Sequence, residues 1–414
     1  MKHLSCIINV LVFIFAFLSS DVNAQWEKIP VGTTQNLKDL FFINSETGWV
    51  VGSGSTILKT TDGGETWIAQ QPNINQNISS VFFLDESFGW AGCGNGTILR
   101  TTDGGVNWSV CMSNTVYNIS RLYFTDRQNG YATVHRGLND RYGWILKSTD
   151  GGKTWNQSFA IDGYLLLDIS FPDKYNGWVS ASNGYMIKTT DAGANWETSR
   201  LRTACWLHSV YFVNDAVGWA AGGNYDYDLV YKTTNGGNTW FEVRRGDPGM
   251  YLSGCYFINE NTGWACAENG TILRTDNGGE SWSKEKINTP EKMEEIFVSG
   301  NTGYVIGTHG TIYKSKLEKK DSRLHLLAPD GDEEWEIGST QLITWESKGV
   351  TDVKIEYSYN NGASWNEVAG SYPSTGVFEW TIPNILTNQA RIKITDKNSF
   401  NVSDSSEDTF RIVR

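Results

Sequence analysis

Thr60-Thr-Asp-Gly-Gly-Glu-Thr-Trp67 and its copy Ser148-Thr-Asp-Gly-Gly-Lys-Thr-Trp155 decide how the rest of the chain is read. The shared pattern is Thr/Ser-x-Asp-x-Gly-x-x-Trp. It pairs Asp62 with Trp67, Asp103 with Trp108, Asp150 with Trp155 and Asp191 with Trp196; Asn235 with Trp240 and Asn277 with Trp282 are the amide versions. Successive box tryptophans stand 41, 47, 41, 44 and 42 residues apart. About 19 residues before each box tryptophan lies a second marker: Gly-Trp at Gly48, Gly89, Gly177, Gly218 and Gly263, or Gly-Tyr at Gly130. A constant period near 40 means that one supersecondary unit is repeated. Within the first unit, Leu40–Ile43, Gly48–Gly52, Thr56–Lys59 and Thr66–Ala69 are short apolar runs separated by turns. Four strands per unit at this period predict the blades of a β-propeller.

The marker occurs a seventh time at Gly303-Tyr304, but that unit loses its box at Ser315–Lys320. Trp26, in Gln25–Pro30, lies 41 residues before Trp67. The expected fold is therefore all-β: a seven-bladed ring whose last blade borrows an N-terminal strand, which removes exposed sheet edges. In each box the Asp or Asn accepts backbone hydrogen bonds, Gly supplies the turn, and Trp covers it. The boxes are expected to support the blades, on the side opposite the strand 2–3 loops.

Met1–His3, the apolar run Leu4–Leu18 and the Val22-x-Ala24 end form a secretory signal over residues 1–24. No later apolar stretch is long enough to span a bilayer, so the expected location is secreted, periplasmic or cell envelope, peripheral to the membrane at most. The net charge of −12 without a Lys/Arg run argues against nucleic acid and anionic lipid as partners. Aromatic content of 13% with 19% charged residues suits a packed β protein. Beyond the signal, Cys93, Cys111, Cys205, Cys255 and Cys266 form no CxxC pair. Cys255 and Cys266 fall on adjacent strands of one unit, where pairing and separate burial both remain open.

The propeller is expected over residues 25–316 and a charged linker over 317–323. Alternating strands such as Val353–Tyr357 and Arg391–Ile394 predict a small β-sandwich over 324–414. Asn360-Asn-Gly-Ala-Ser-Trp365 repeats the box-like turn there.

Three resemblances follow from these residues. The boxes are similar to those of the sialidase and BNR-repeat superfamily. Phe42–Trp49 with Ile57–Trp67, and Phe257–Trp264 with Asn269–Arg274, resemble the propellers of photosystem II stability and assembly factors. That likeness implies a non-catalytic scaffold for a protein or other macromolecular partner. Ala328–Trp335 with Ile337–Trp345 resembles the Ig-like module named for fungal cell-wall synthesis and Ser/Thr-rich anchored proteins.

Catalytic constellations are not legible. Lys28-Ile-Pro30 lacks the arginine of a sialidase motif, and Asp39, Asp126, Asp168, Asp226 and Asp228 offer no distinctive acid pair. His135, His208, His309 and His325 suggest no metal cluster, and no cofactor is expected. The units depart from their period in the loops at His135–Tyr142, Asn224–Asp228 and Arg244–Tyr251. Variable loops on a rigid scaffold are where binding is carried. Arg136, Arg141, Tyr142, Tyr225, Tyr227, Arg244, Arg245 and Tyr251 are accordingly the expected ligand-binding face. A polysaccharide, bound or hydrolysed, is the alternative to a protein partner.

Overall fold

The computed structural model describes residues 26–111, 113–137, 141–317, 322–350, 352–397 and 399–414. The expected signal sequence, Leu138–Asp140 of the third unit's insert and residues 318–321 of the expected linker lie outside them. The protein is all-β. Between Glu27 and Lys316 it forms seven four-stranded antiparallel sheets. The first contains Leu37–Phe42, Gly48–Gly52, Ile57–Thr60 and Ile68–Ala69 in sequence order. In the seventh, Met293–Ser299, Thr302–Gly307 and Thr311–Lys316 are completed by Glu27–Ile29. Glu27 pairs with Lys314 and Ile29 with Ile312, so the N-terminal strand closes the ring. Each inner strand packs against the inner strand of the next sheet, and the seventh against the first.

The two sequence markers have separate tasks. In the first box Thr60 Oγ1 donates to Asp62 Oδ1 and accepts the Gly64 N–H, while Thr66 donates to both Asp62 oxygens. The three other Asp boxes repeat this arrangement. In the two Asn boxes and in the tail one bond is reversed, with Asn235, Asn277 and Asn360 Nδ2 donating to the Thr239, Ser281 and Ser364 hydroxyls. Both Asp62 oxygens are thus spent on its own turn, and the Thr66 hydroxyl and N–H hold its carboxyl down at about 2.

The Gly-aromatic marker joins neighbouring sheets. Trp49 stacks on Phe83 of the second sheet at 3.5 Å, and Trp90 on Phe124 of the third at 3.6 Å. Tyr131–Phe171, Trp178–Phe212, Trp219–Phe257 and Tyr304–Phe42 continue the series around the ring. Trp90 Nε1 also donates to the Gly151 carbonyl, inside the next sheet's box, at 3.0 Å. The box tryptophans meet the same phenylalanines edge-on, as Trp155 does Phe124. Gly89 is fixed by this packing, since a Cβ there would fall 2.3 Å from the Phe83 ring.

Cys255 and Cys266 are free and buried. Cys255 faces Ala265 in register and packs near Trp219, whereas Cys266 faces Gly254 and packs near Trp264. They point to opposite sides of one sheet, so pairing is ruled out by the strand alternation.

In the C-terminal region, Arg323–Ala328, Thr340–Lys348 and Val377–Thr381 form a three-stranded sheet, and a six-stranded sheet lies over it. Residues of both sheets share one core that includes Ile343, Trp345, Trp380, Ile355 and Phe410.

Candidate functional site

The ring has two dissimilar faces. On one, each box is tied to the strand 1–2 turn beside it: Gly63 N–H donates to the Glu46 carbonyl and Gly151 N–H to that of Gln128. On the other, the strand 2–3 hairpins are tied to the links between sheets. Ser182 N–H donates to the Leu165 carbonyl, Gly184 N–H to Cys205, and Gly310 N–H to Gln35. The candidate residues on this loop face therefore rest on a braced frame.

The structure gathers the expected face into two clusters. In the third sheet the Arg136 guanidinium lies 5.0 Å from the Tyr117 ring and 5.7 Å from those of Tyr142 and Trp144. Tyr117 and Trp144 are themselves parallel, with centroids 5.0 Å apart. At the fifth sheet Arg245 lies 4.1 Å over Tyr227, and Tyr225 meets Tyr251 edge-on at 5.7 Å. Tyr225 is 85% exposed, leaving most of its ring for a partner. Arg141 reaches Trp206 at 5.7 Å and spans part of the gap between the clusters. Tyr164 and Tyr185, hydrogen-bonded at 3.1 Å, occupy the intervening fourth sheet.

Two corrections follow. Arg244 and Arg245 lie on a strand, Phe241–Arg245, and not in the loop after it. Arg244 is also engaged inward: its Nε and a terminal nitrogen hold the two oxygens of fully buried Asp228, which accepts the Asp247 N–H as well. Arg244 thus shapes the loop and is withdrawn from the candidate surface. Arg245 is bidentate with Glu242 yet remains half-exposed. The face is consequently less cationic than its arginine count suggests.

A charged cluster in the channel is a feature that the sequence reading did not assemble. Every inner strand carries a bulge at the same place, and the residues just past it are Asp39, Ser80, Arg121, Asp168, Ser209, Gly254 and Glu295. Arg121 meets Asp39 at 2.5 Å, Asp168 at 3.2 Å and also Glu295, joining the third sheet to the first, fourth and seventh. Asp39 additionally accepts the Val81 N–H, and Asp168 the Val210 N–H. Burial pushes the Asp39 carboxyl up and Arg121 only partly offsets it; the surrounding carboxylates hold the Arg121 proton more firmly despite burial. Phe41, Phe82, Tyr123, Tyr211, Tyr256 and Phe297 form an aromatic tier two residues along. Aligning the units on the phenylalanine near the end of strand 1, present in six of them and replaced by Val298 in the seventh, would have exposed this column, because each residue just past a bulge lies three positions before it. Among the described residues, no group of three or more His, Cys, Asp or Glu is placed to hold a metal ion.

Residues 18–109 and 158–251 match the sequence model of the family described as photosynthesis system II assembly factor YCF48. A 42-residue stretch is 45% identical to the photosystem II assembly protein Ycf48 of Thermosynechococcus vestitus, covering 10% of this chain and 12% of that protein. A 45-residue stretch is 40% identical to the photosystem II assembly lipoprotein Ycf48 of Prochlorococcus marinus, covering 11% and 13%. The matched part spans about an eighth of the length of these curated relatives. A solved structure described as YCF48 bound to D1 peptide superposes with a TM-score of 0.58 at 21% identity, covering 71% of this chain and 97% of that one. YCF48 from Cyanidioschyzon merolae gives 0.57 at 21% identity, covering 72% and 100%. The WD40 propeller domain of Doa1 gives 0.55 at 10% identity, over 72% and 98%. Structural likeness at such identities speaks to fold. The repeats of this chain accordingly form a β-propeller similar to those of the YCF48 assembly factors.

Proposed function

We propose that the protein is an exported, non-catalytic scaffold: a seven-bladed propeller over residues 25–316 joined through 317–323 to an Ig-like module over 324–414. Its loop face holds a protein partner. The observation that carries this reading is the series of aromatic and arginine side chains across the third to sixth sheets, from Arg136 and Tyr142 to Tyr225, Tyr227, Arg245 and Tyr251. Tyr and Arg combine contact area with directed hydrogen bonds, and they dominate binding hot spots. The similar protein solved with a D1 peptide supports a polypeptide ligand as the first choice. Photosystem assembly itself is one form that such a scaffold takes.

The test is capture from the native envelope by the immobilised mature chain, compared with a folded Tyr225→Ala/Tyr227→Ala variant. A partner kept by the first and released by the second supports the reading. Equal capture by both removes the loop face from the function. A glycan array distinguishes the polysaccharide alternative: binding there, with no protein retained, would replace the partner class.

A further inference from the structure

The outer strands of the seven sheets are unequal. Ile68–Ala69 and Ser109–Cys111 have only two and three residues. Glu27–Ile29, Glu197–Arg200, Phe241–Arg245 and Ser283–Lys286 each carry Lys or Arg. Short edges and edge cations both discourage pairing with another strand. The third sheet has neither protection. Its outer strand, Asn156–Asp162, runs for seven residues with no Lys, Arg or Pro, and its one charge is the terminal Asp162.

Beside this edge lies a groove of 630 Å³ between the link Ser113–Tyr117 and the third sheet, lined in part by Tyr117, Val134, Trp144, Leu146, Trp155 and Gln157. The floor is buried apolar side chain from Val134, Leu146 and Trp155. Ladder phase shows which backbone groups remain for a partner. Gly163 N–H donates to the Arg141 carbonyl at 2.7 Å, and Ile161 and Phe159 face Gly143 and Ile145. Alternation then points the Phe159 and Ile161 N–H groups inward and those of Ala160 and Asp162 outward.

We propose that this edge is a second binding site, which captures an extended peptide by strand addition along Phe159–Asp162, past the bulge at Ser158. Only a polypeptide backbone matches the row of outward donors and acceptors. Side chains two residues apart on such a segment are about 7 Å apart on one side, so two of them enter the groove. The neutral run up to Ile161 selects an uncharged stretch, and Asp162 selects a basic residue opposite it. The site is distinct from the loop face, and its test separates the two.

The probe is a fluorescein-labelled heptapeptide, Lys-Thr-Phe-Thr-Val-Thr-Thr, titrated into the full mature chain and followed by anisotropy. Saturable binding is expected, weakened at least tenfold by N-methylation of alternate peptide amides and equally by Ala160→Pro. Proline at an outward N–H leaves the internal ladder intact. Should that variant misfold, Asp162→Lys serves instead: it should weaken the Lys-headed probe tenfold and restore binding to a Glu-headed one. Tyr225→Ala/Tyr227→Ala should bind the probe as the wild type does. No saturable binding, or equal affinity for the N-methylated probe, overturns the proposal. So does self-association of the chain that Ala160→Pro abolishes, because the edge would then belong to a second copy.

Discussion

The box face and the loop face are carried by the same seven sheets, yet one repeats and the other does not. On the box face, the Thr60–Asp62–Gly64 network recurs nearly atom for atom as Thr101–Asp103–Gly105 and Ser148–Asp150–Gly152. Tryptophans of one sheet end on the boxes of the next, as Trp49 does at Gly104 and Trp219 at Gly278. On the loop face, the third sheet presents Arg136 and Tyr142 where the second has a tight Gly94–Gly96 turn. Repetition marks where sheets interlock, and any change there costs stability. Variation marks where the frame is complete and side chains are free to serve binding.

The largest effect expected from this division is at ring closure. Deleting residues 26–30 removes the strand paired with Ile312–Lys314 and the Trp26 Nε1 bond to Glu285. The loss should exceed about 4 kcal/mol, beyond the range of ordinary single changes. Thermal or urea unfolding checks it, and an unchanged midpoint would mean that the closing strand is dispensable. Next is Trp90→Ala, which removes a fully buried ring, its stack on Phe124 and its bond to Gly151. About 3–5 kcal/mol is expected. Trp264 sharpens the comparison, because the seventh sheet places Val298 where the others place phenylalanine. Without an aromatic stack, Trp264→Ala should cost about 1 kcal/mol less than Trp90→Ala. Equal losses would assign the stabilisation to burial alone.

Boxes and channel should also separate by pH. Asp62, Asp103, Asp150 and Asp191 are held below the ordinary carboxylate range by bonds within their turns. A depressed folded value contributes stability that is present above the unfolded value near 3.8 and is lost as pH falls toward about 2. Asp39 has the opposite sign. Its raised folded value favours the folded state fully below 3.8, and that contribution is lost as pH rises through the folded value. Replacing the four box aspartates by Asn, as sheets five and six already do, should flatten the acid limb of a stability–pH curve. Asp39→Asn should leave that limb in place. A limb unaltered by the four-fold change would locate acid sensitivity elsewhere.

The repeat, the four-strand unit and the closing role of Trp26 were legible because each is a local pattern recurring at fixed spacing. The box turn in the tail was legible for the same reason. Three things were not. Arg121 joins Asp39, Asp168 and Glu295 across the channel, and those residues are separated by 82, 47 and 174 positions; only ring curvature brings them together. The inward turn of Arg244 depends on Asp228, 16 residues earlier, being buried at a sheet end. The stacking role of the Gly-aromatic marker depends on a phenylalanine in the following sheet, a contact that no single unit contains.

The smallest stability effect is expected where the binding effect is largest. Tyr225 is mostly solvent-exposed, whereas Tyr227 is half-buried beneath Arg245 and packs against the margin of the core around Leu229. Tyr225→Ala with Tyr227→Ala removes the edge contact to Tyr251 and the platform under Arg245, but Arg245 keeps its two bonds to Glu242. An exposed substitution such as Tyr225→Ala usually changes stability by about 0.5 kcal/mol or less, and the partly buried Tyr227 adds about 1 kcal/mol. Partner capture should nevertheless fall at least tenfold, because two aromatic anchors of the proposed face are lost together. A differential melt and a binding titration on the same preparation decide the matter. A large fall in the melting temperature would show that the loop face is structural, like the box face, and the contrast between the two sides of the ring would fail.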